Sequence, residues 1–147
     1  MRQFIHNDIM IACPEDWLDL STVVLAAPPR PDVDFSPNVA ITRDTLDEPM
    51  TPKDYAQDQL PLLQEEFGGM GYEVKSEGAA RVADIPCFER MHTFVLPENE
   101  LEVQQWQVYF VVGNDAVTIT CTDKAANFKK SYELFQSIVA QLKVVKQ

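Results

Sequence analysis

The chain has 147 residues, room for one domain with a real core, and its 46% hydrophobic and 24% charged residues exclude a disordered or fibrous protein. Its 23 acidic against 12 basic side chains give a formal net charge of −11. With no basic stripe to relieve that field, the surface repels phosphate backbones and anionic bilayers. This argues against nucleic acid and against direct membrane insertion.

The opening MRQFIHNDIMIACPEDW is interrupted by Asn7 and Asp8 and holds no secretory apolar run. The longest apolar run, Val108 to Val112, is far short of a membrane span. The expectation is a soluble, cytoplasmic protein. Cys13, Cys87 and Cys121 are scattered without CxxC spacing and read as reduced thiols acting as small hydrophobes.

In chain order, Phe4–Ile5 and Ile9–Ala12 flank the Asn7-Asp8 turn signal and predict a hairpin. CPEDWLD turns the chain at Pro14. In that turn Trp17 is expected to fill the core beneath the sheet, or else to serve as a surface anchor, and Asp19 to cap backbone donors. STVVLAAP supplies a strand. The proline-rich PPRPDVDFSPN cannot sit inside a sheet and reads as an exposed loop, and NVAITRD is the next strand.

A helix is expected from near Thr51, with Pro52 in its first turn and Asp54 where the helix dipole favours a negative charge. Ala56, Leu60, Leu63 and Phe67 form its apolar stripe, Gln59 borders the stripe beside Tyr55 and Leu62, and Gly68-Gly69 end it. Pro61, inside this pattern, should kink or split the helix. Strands follow at YEVKSEGAARV, CFERMHTFVL, LEVQQWQVYFVV and AVTITC, the last three joined by turns at PENE and GNDA. Asp123 is placed to cap a second helix with a stripe of Phe128, Tyr132, Phe135, Val139 and Leu142, its end suited by Lys143 and Lys146. The sum is an α+β domain spanning residues 1–147, a mainly antiparallel sheet packed by two main helices on one face.

Catalysis should leave a cluster of nucleophile, base or metal ligands, and little of that kind is visible. His6 and His92 sit far apart in ordinary strand contexts. Cys121 with His92 could pair on neighbouring strands, but nothing nearby supplies an orienting group or an oxyanion hole. The glycines of FGGMGYEV follow a helix instead of preceding one, so they end it and cradle no phosphate. The acidic turns have no calcium-loop spacing.

The strand LEVQQWQVYFVV separates into two faces at period two. Gln104, Trp106, Val108, Phe110 and Val112 form a core-like face, while Val103, Gln105, Gln107, Tyr109 and Val111 form one that mixes apolar groups with amides.

The segment IACPEDWLDLSTVVL, with its strand–Pro–x–x–Trp–x–Asp–x–Ser–strand pattern, resembles the start of DcrB-like domains. It is most similar to the Eag (effector-associated) chaperones of bacterial type VI secretion. DYAQDQL and QVYFV resemble the same group, and element order agrees over essentially the whole chain. The resemblance implies a PsbP/DcrB-like fold: a curved antiparallel sheet backed by helices. It implies a homodimer whose concave face shields the N-terminal transmembrane segments of a toxic effector, of the PAAR/Rhs type, before export. It implies no catalytic residue, cofactor or metal. The positions it carries over are Thr22 and Val24 after the Trp-x-Asp-x-Ser element, Gln59 and Phe67 on the Asp-Tyr helix, and Gln107 on the late strand. Thr22 departs from the pattern, where a β-branched aliphatic residue is more typical.

A transmembrane helix in water exposes apolar surface at a cost of roughly 25 cal/mol per Å². A groove for it should be apolar, with polar groups that imitate a neighbouring membrane helix. Val24, Phe67, Tyr109 and Val111 with the amides of Gln59, Gln105 and Gln107 have that mixture. The alternative is a non-catalytic structural or interaction subunit of the same fold that binds a folded partner.

Overall fold

A computed structural model describes residues 1–145; Lys146, placed above at the end of the second helix, lies outside them. Six strands form one antiparallel sheet in the order β3-β4-β8-β7-β6-β5: β3 (Val23–Ala26), β4 (Asn38–Thr45), β5 (Glu73–Val82), β6 (Ile85–Leu96), β7 (Leu101–Val112) and β8 (Asp115–Lys124). The predicted N-terminal hairpin is present as a separate two-stranded sheet of β1 (Arg2–His6) and β2 (Ile9–Cys13), turning on Asn7 at positive φ.

Helix α1 (Pro52–Phe67) starts as its sequence specifies: Thr51 Oγ1 accepts from the backbone N–H of Asp54 at 3.1 Å, with Pro52 in the first turn. Pro61 does not split it. The backbone bond that proline forgoes belongs to the carbonyl of Gln57, an exposed residue open to solvent. The helix tightens into a 3₁₀ turn at Gly68–Met70, and Gly71, at φ +67°, makes the left-handed exit. Helix α2 (Ala125–Ala140) buries Phe128, Phe135 and Val139, with Tyr132 and Leu142 packed beside them.

The α+β class, with a mainly antiparallel sheet and two main helices, is observed. The helices, however, lie on opposite faces of the sheet, not on one. Helix α2 covers Trp106, Val108, Phe110, Val117, Ile119 and Cys121, the large apolar core. Helix α1 covers the other face, where Tyr55 and Ala56 pack on Phe88, Tyr109 and Ala116. The expectation failed because the second face reads as polar. Arg90, His92, Gln107, Thr118 and Thr122 are all buried on it, and hydrogen bonds to the neighbouring side chains Tyr109, Gln105 and Thr120, with one from Arg90 to α1, allow a helix to cover this face.

Two local expectations are also corrected. Trp17 is 64% exposed and fills no core, because residues 15–22 run exposed ahead of the edge strand β3. Asp123 is not the cap of α2; it is the buried penultimate residue of β8, and its carboxylate accepts from the Lys124 N–H and the Ser131 hydroxyl. Asp19 behaves as expected, accepting from the N–H and hydroxyl of Ser21, and these bonds hold its carboxyl below the usual range.

Candidate binding groove

Cross-strand pairing sets Arg90 (β6), Gln107 (β7), Thr120 (β8), Ala40 (β4) and Val24 (β3) in one row on the α1 face. His92, Gln105 and Thr122 form the neighbouring row, and Phe88, Tyr109, Thr118 and Thr42 the one on the other side. Helix α1 covers the β6 end of these rows. Beyond its edge lies an open groove of about 400 Å³, lined among others by Gln59, Leu63, Phe67, Gln105, Gln107 and Tyr109. The carboxylate of Asp44 stands on its β4 side, accepting from Tyr55 Oη at 2.8 Å.

The expected binding residues Gln59, Phe67, Gln105, Gln107 and Tyr109 therefore come together from two elements far apart in sequence. Val24 stands at the open end of the Gln107 row, 60% exposed. Val111 shares the face, opposite Ala116, but does not line the groove. Thr22 is exposed and precedes the first paired residue of β3, outside the ladder.

Two hydrogen-bonded relays underlie the groove floor. In one, Arg90 Nη1 donates to Tyr109 Oη at 2.9 Å, the Tyr109 hydroxyl donates to Gln107 Oε1, and Gln107 Nε2 donates to Thr120 Oγ1 at 3.3 Å. Arg90 Nη2 also donates to the Ala56 carbonyl at 3.0 Å, and Nε to Glu77 Oε2 at 3.1 Å. In the other, the Tyr72 hydroxyl bonds His92 Nδ1 at 3.0 Å, His92 Nε2 bonds Gln105 Oε1 at 2.7 Å, and Gln105 Nε2 donates to Thr122 Oγ1 at 3.0 Å. Burial pushes the Tyr109 hydroxyl up to about 12 and lowers His92 below its ordinary value, so Tyr109 stays protonated and His92 neutral near pH 7. Phe67 stacks on Phe94 with ring centroids 4.1 Å apart and closes the groove at the end of α1.

Arg90 and His92 were missed in the sequence, although a signal was available. In CFERMHTF they alternate in phase with Phe88 and Phe94, so they belong to a buried face. The Cys121–His92 pair does not form. Cys121 pairs with Trp106 and His92 with Gln105, neighbours in β7 that point to opposite faces. Among the described residues no group of three or more His, Cys, Asp or Glu is placed to hold a metal ion. No helix among them is long and apolar enough to cross a membrane.

The model of the family described as DcrB matches residues 9–141. The chain belongs to the DcrB family. Among solved structures similar to this DcrB-family chain is a Pseudomonas aeruginosa protein of unknown function, PA94, titled a putative regulator. It aligns with TM-score 0.80 at 14% identity, covering 100% of this chain and 99% of that one. A cyanobacterial PsbP (CyanoP) from Synechocystis sp. PCC 6803 aligns with TM-score 0.59 at 8% identity, over 91% of this chain and 98% of that one. LpqN of Mycobacterium tuberculosis, described as involved in cell envelope biogenesis, aligns with TM-score 0.51 at 10% identity, over 95% and 86%. These structural matches establish a shared PsbP-like fold. No functionally curated sequence is significantly similar to this one.

Proposed function

We propose that this DcrB-family chain is a non-catalytic chaperone of the Eag type. It binds N-terminal transmembrane helices of a PAAR/Rhs-type effector of type VI secretion in the cytoplasm and keeps them from water before export. The observation that carries the reading is the convergence of Gln59, Phe67, Gln105, Gln107 and Tyr109 on one open groove, with Val24 extending it.

The groove takes side chains, not a whole helix. A guest helix lies across it, apolar side chains entering between Leu63, Phe67 and Ala40 while its polar groups meet the amides. Burying the guest's apolar surface contributes roughly 25 cal/mol per Å², and the acidic exterior keeps the loaded chaperone soluble and off anionic bilayers. The protein works as a homodimer in this reading. Ile9, Met10, Ile11 and Leu25, each at least 57% exposed, offer a second copy an apolar contact.

The test is co-purification of the chaperone with an effector N-terminus carrying its apolar segments and with the same fragment lacking them. Retention of only the first supports the reading; equal retention of both replaces it with a partner subunit that binds a folded surface.

A further inference from the structure

Arg90 does not line the groove, yet it is fully buried beneath it and touches three different elements. A guanidinium only donates hydrogen bonds. Because Arg90 Nη1 donates to Tyr109 Oη, the single Tyr109 proton must go elsewhere, and it goes to Gln107 Oε1. With that oxygen engaged, the Gln107 amide nitrogen is forced toward Thr120 Oγ1. Each link dictates the next, and the row ends in protons. The second amide proton of Gln107 and the hydroxyl proton of Thr120 find no acceptor among the described side chains. The His92 row has no such direction, since a neutral imidazole can donate or accept at either nitrogen.

We propose that Arg90 is a positioning residue that fixes the direction of the Gln107 row, so that this part of the groove donates hydrogen bonds and favours guest helices presenting an acceptor there, a serine or threonine oxygen. The guest half of this statement rests on the groove reading above; the orientation half concerns the free protein. In an apolar helix a threonine hydroxyl gives its proton to the carbonyl one turn earlier, leaving its oxygen to face outward as an acceptor. A donor left without a partner on burial costs more than a spare lone pair. A groove ending in donors thus matches what a membrane helix can offer.

Two measurements test it. Nitrogen-edited NMR of the free protein should show contacts from the Gln107 side-chain amide protons to Thr120 and not to the Tyr109 ring. In Arg90→Met, contacts to Tyr109 should appear, while Arg90→Lys, which keeps a donor, should restore the original set. Tyr109→Phe cuts the row one link later and serves if Arg90→Met does not fold. For binding, two leucine–alanine peptides of ~20 residues, identical except for a central Thr or Val, are compared by fluorescence anisotropy. The wild type should prefer the Thr peptide by about two- to tenfold. Tyr109→Phe should lose that preference, the Thr and Val peptides then binding with equal affinity. Amide protons facing Tyr109 in the wild type overturn the proposal. So does equal affinity for the two peptides, or a preference that survives Tyr109→Phe. If neither peptide binds while the NMR contacts are as stated, the groove reading fails and the orientation by Arg90 stands.

Discussion

Gln107 and Val24 stand in the same cross-strand row: Gln107 faces Thr120, Thr120 faces Ala40, and Ala40 faces Val24. Three strand spacings separate them, roughly 14 Å at about 4.8 Å per strand. A helix with its side chains is about 10 Å across. The row thus offers one guest helix a buried amide at one end and an open aliphatic residue at the other, on a single rigid sheet.

Those two residues call for different mutants. Val24 is 60% exposed, so Val24→Asp should change folding stability by no more than about 0.5 kcal/mol while placing a charge where the guest must be dry. Guest affinity should fall at least tenfold by anisotropy or calorimetry. Gln107 is 8% exposed and bonded to both Tyr109 and Thr120. Gln107→Ala should weaken binding too, but at a folding cost of roughly 1–3 kcal/mol in urea denaturation, because it strands the Tyr109 proton.

Stability should depend on His92 in mildly acidic solution. Burial lowers its folded value below the ordinary 6.5, so the unfolded chain takes up a proton before the folded one does. Stability is therefore full above about pH 6.5 and falls as pH drops from there toward the lowered folded value. His92→Gln should flatten this part of the denaturation-midpoint profile between pH 7 and 5. The loss governed by Asp19 and Asp34, whose carboxyls are held low by Ser21 and Lys124, lies at more acidic pH and should remain.

The thiols should separate by reactivity. Cys87 and Cys121 are buried beneath α2, and burial pushes the Cys121 thiol up to about 12, leaving almost no thiolate at neutral pH. Cys13 is half-buried, on the hairpin. Titration with a chromogenic disulfide should modify Cys13 rapidly in the native protein and all three thiols only in denaturant. Fast modification of Cys121 would show that the sheet and α2 open locally.

The strands and both helices could be read from periodicity and turn residues because each is a local signal. The hairpin at Asn7-Asp8, the Thr51 cap and the two faces of LEVQQWQVYFVV all have this origin. The layer arrangement was not legible: the phase of Arg90 and His92 with Phe88 and Phe94 marks their face, but the partners that let a helix cover it lie 13 to 34 residues away. A polar face covered by a helix and a polar face open to water share one alternating pattern. Of the site, Gln59 and Gln107 came from the resemblance and Tyr109 from strand phase. The relay from Arg90 through Tyr109 to Gln107 joins two strands by side-chain bonds that no local pattern encodes.

The central claim is that the Gln107–Val24 row holds an apolar guest helix. It is tested most directly by a photo-crosslinking residue at Val24, with a second at exposed Leu134 on α2 as the control, during co-expression with an effector N-terminus. Crosslinks from Val24 should map to the effector's apolar helices and vanish when those segments are deleted, with none from Leu134. Crosslinks from Val24 to a soluble part of the effector, or equal crosslinking from Leu134, would contradict it.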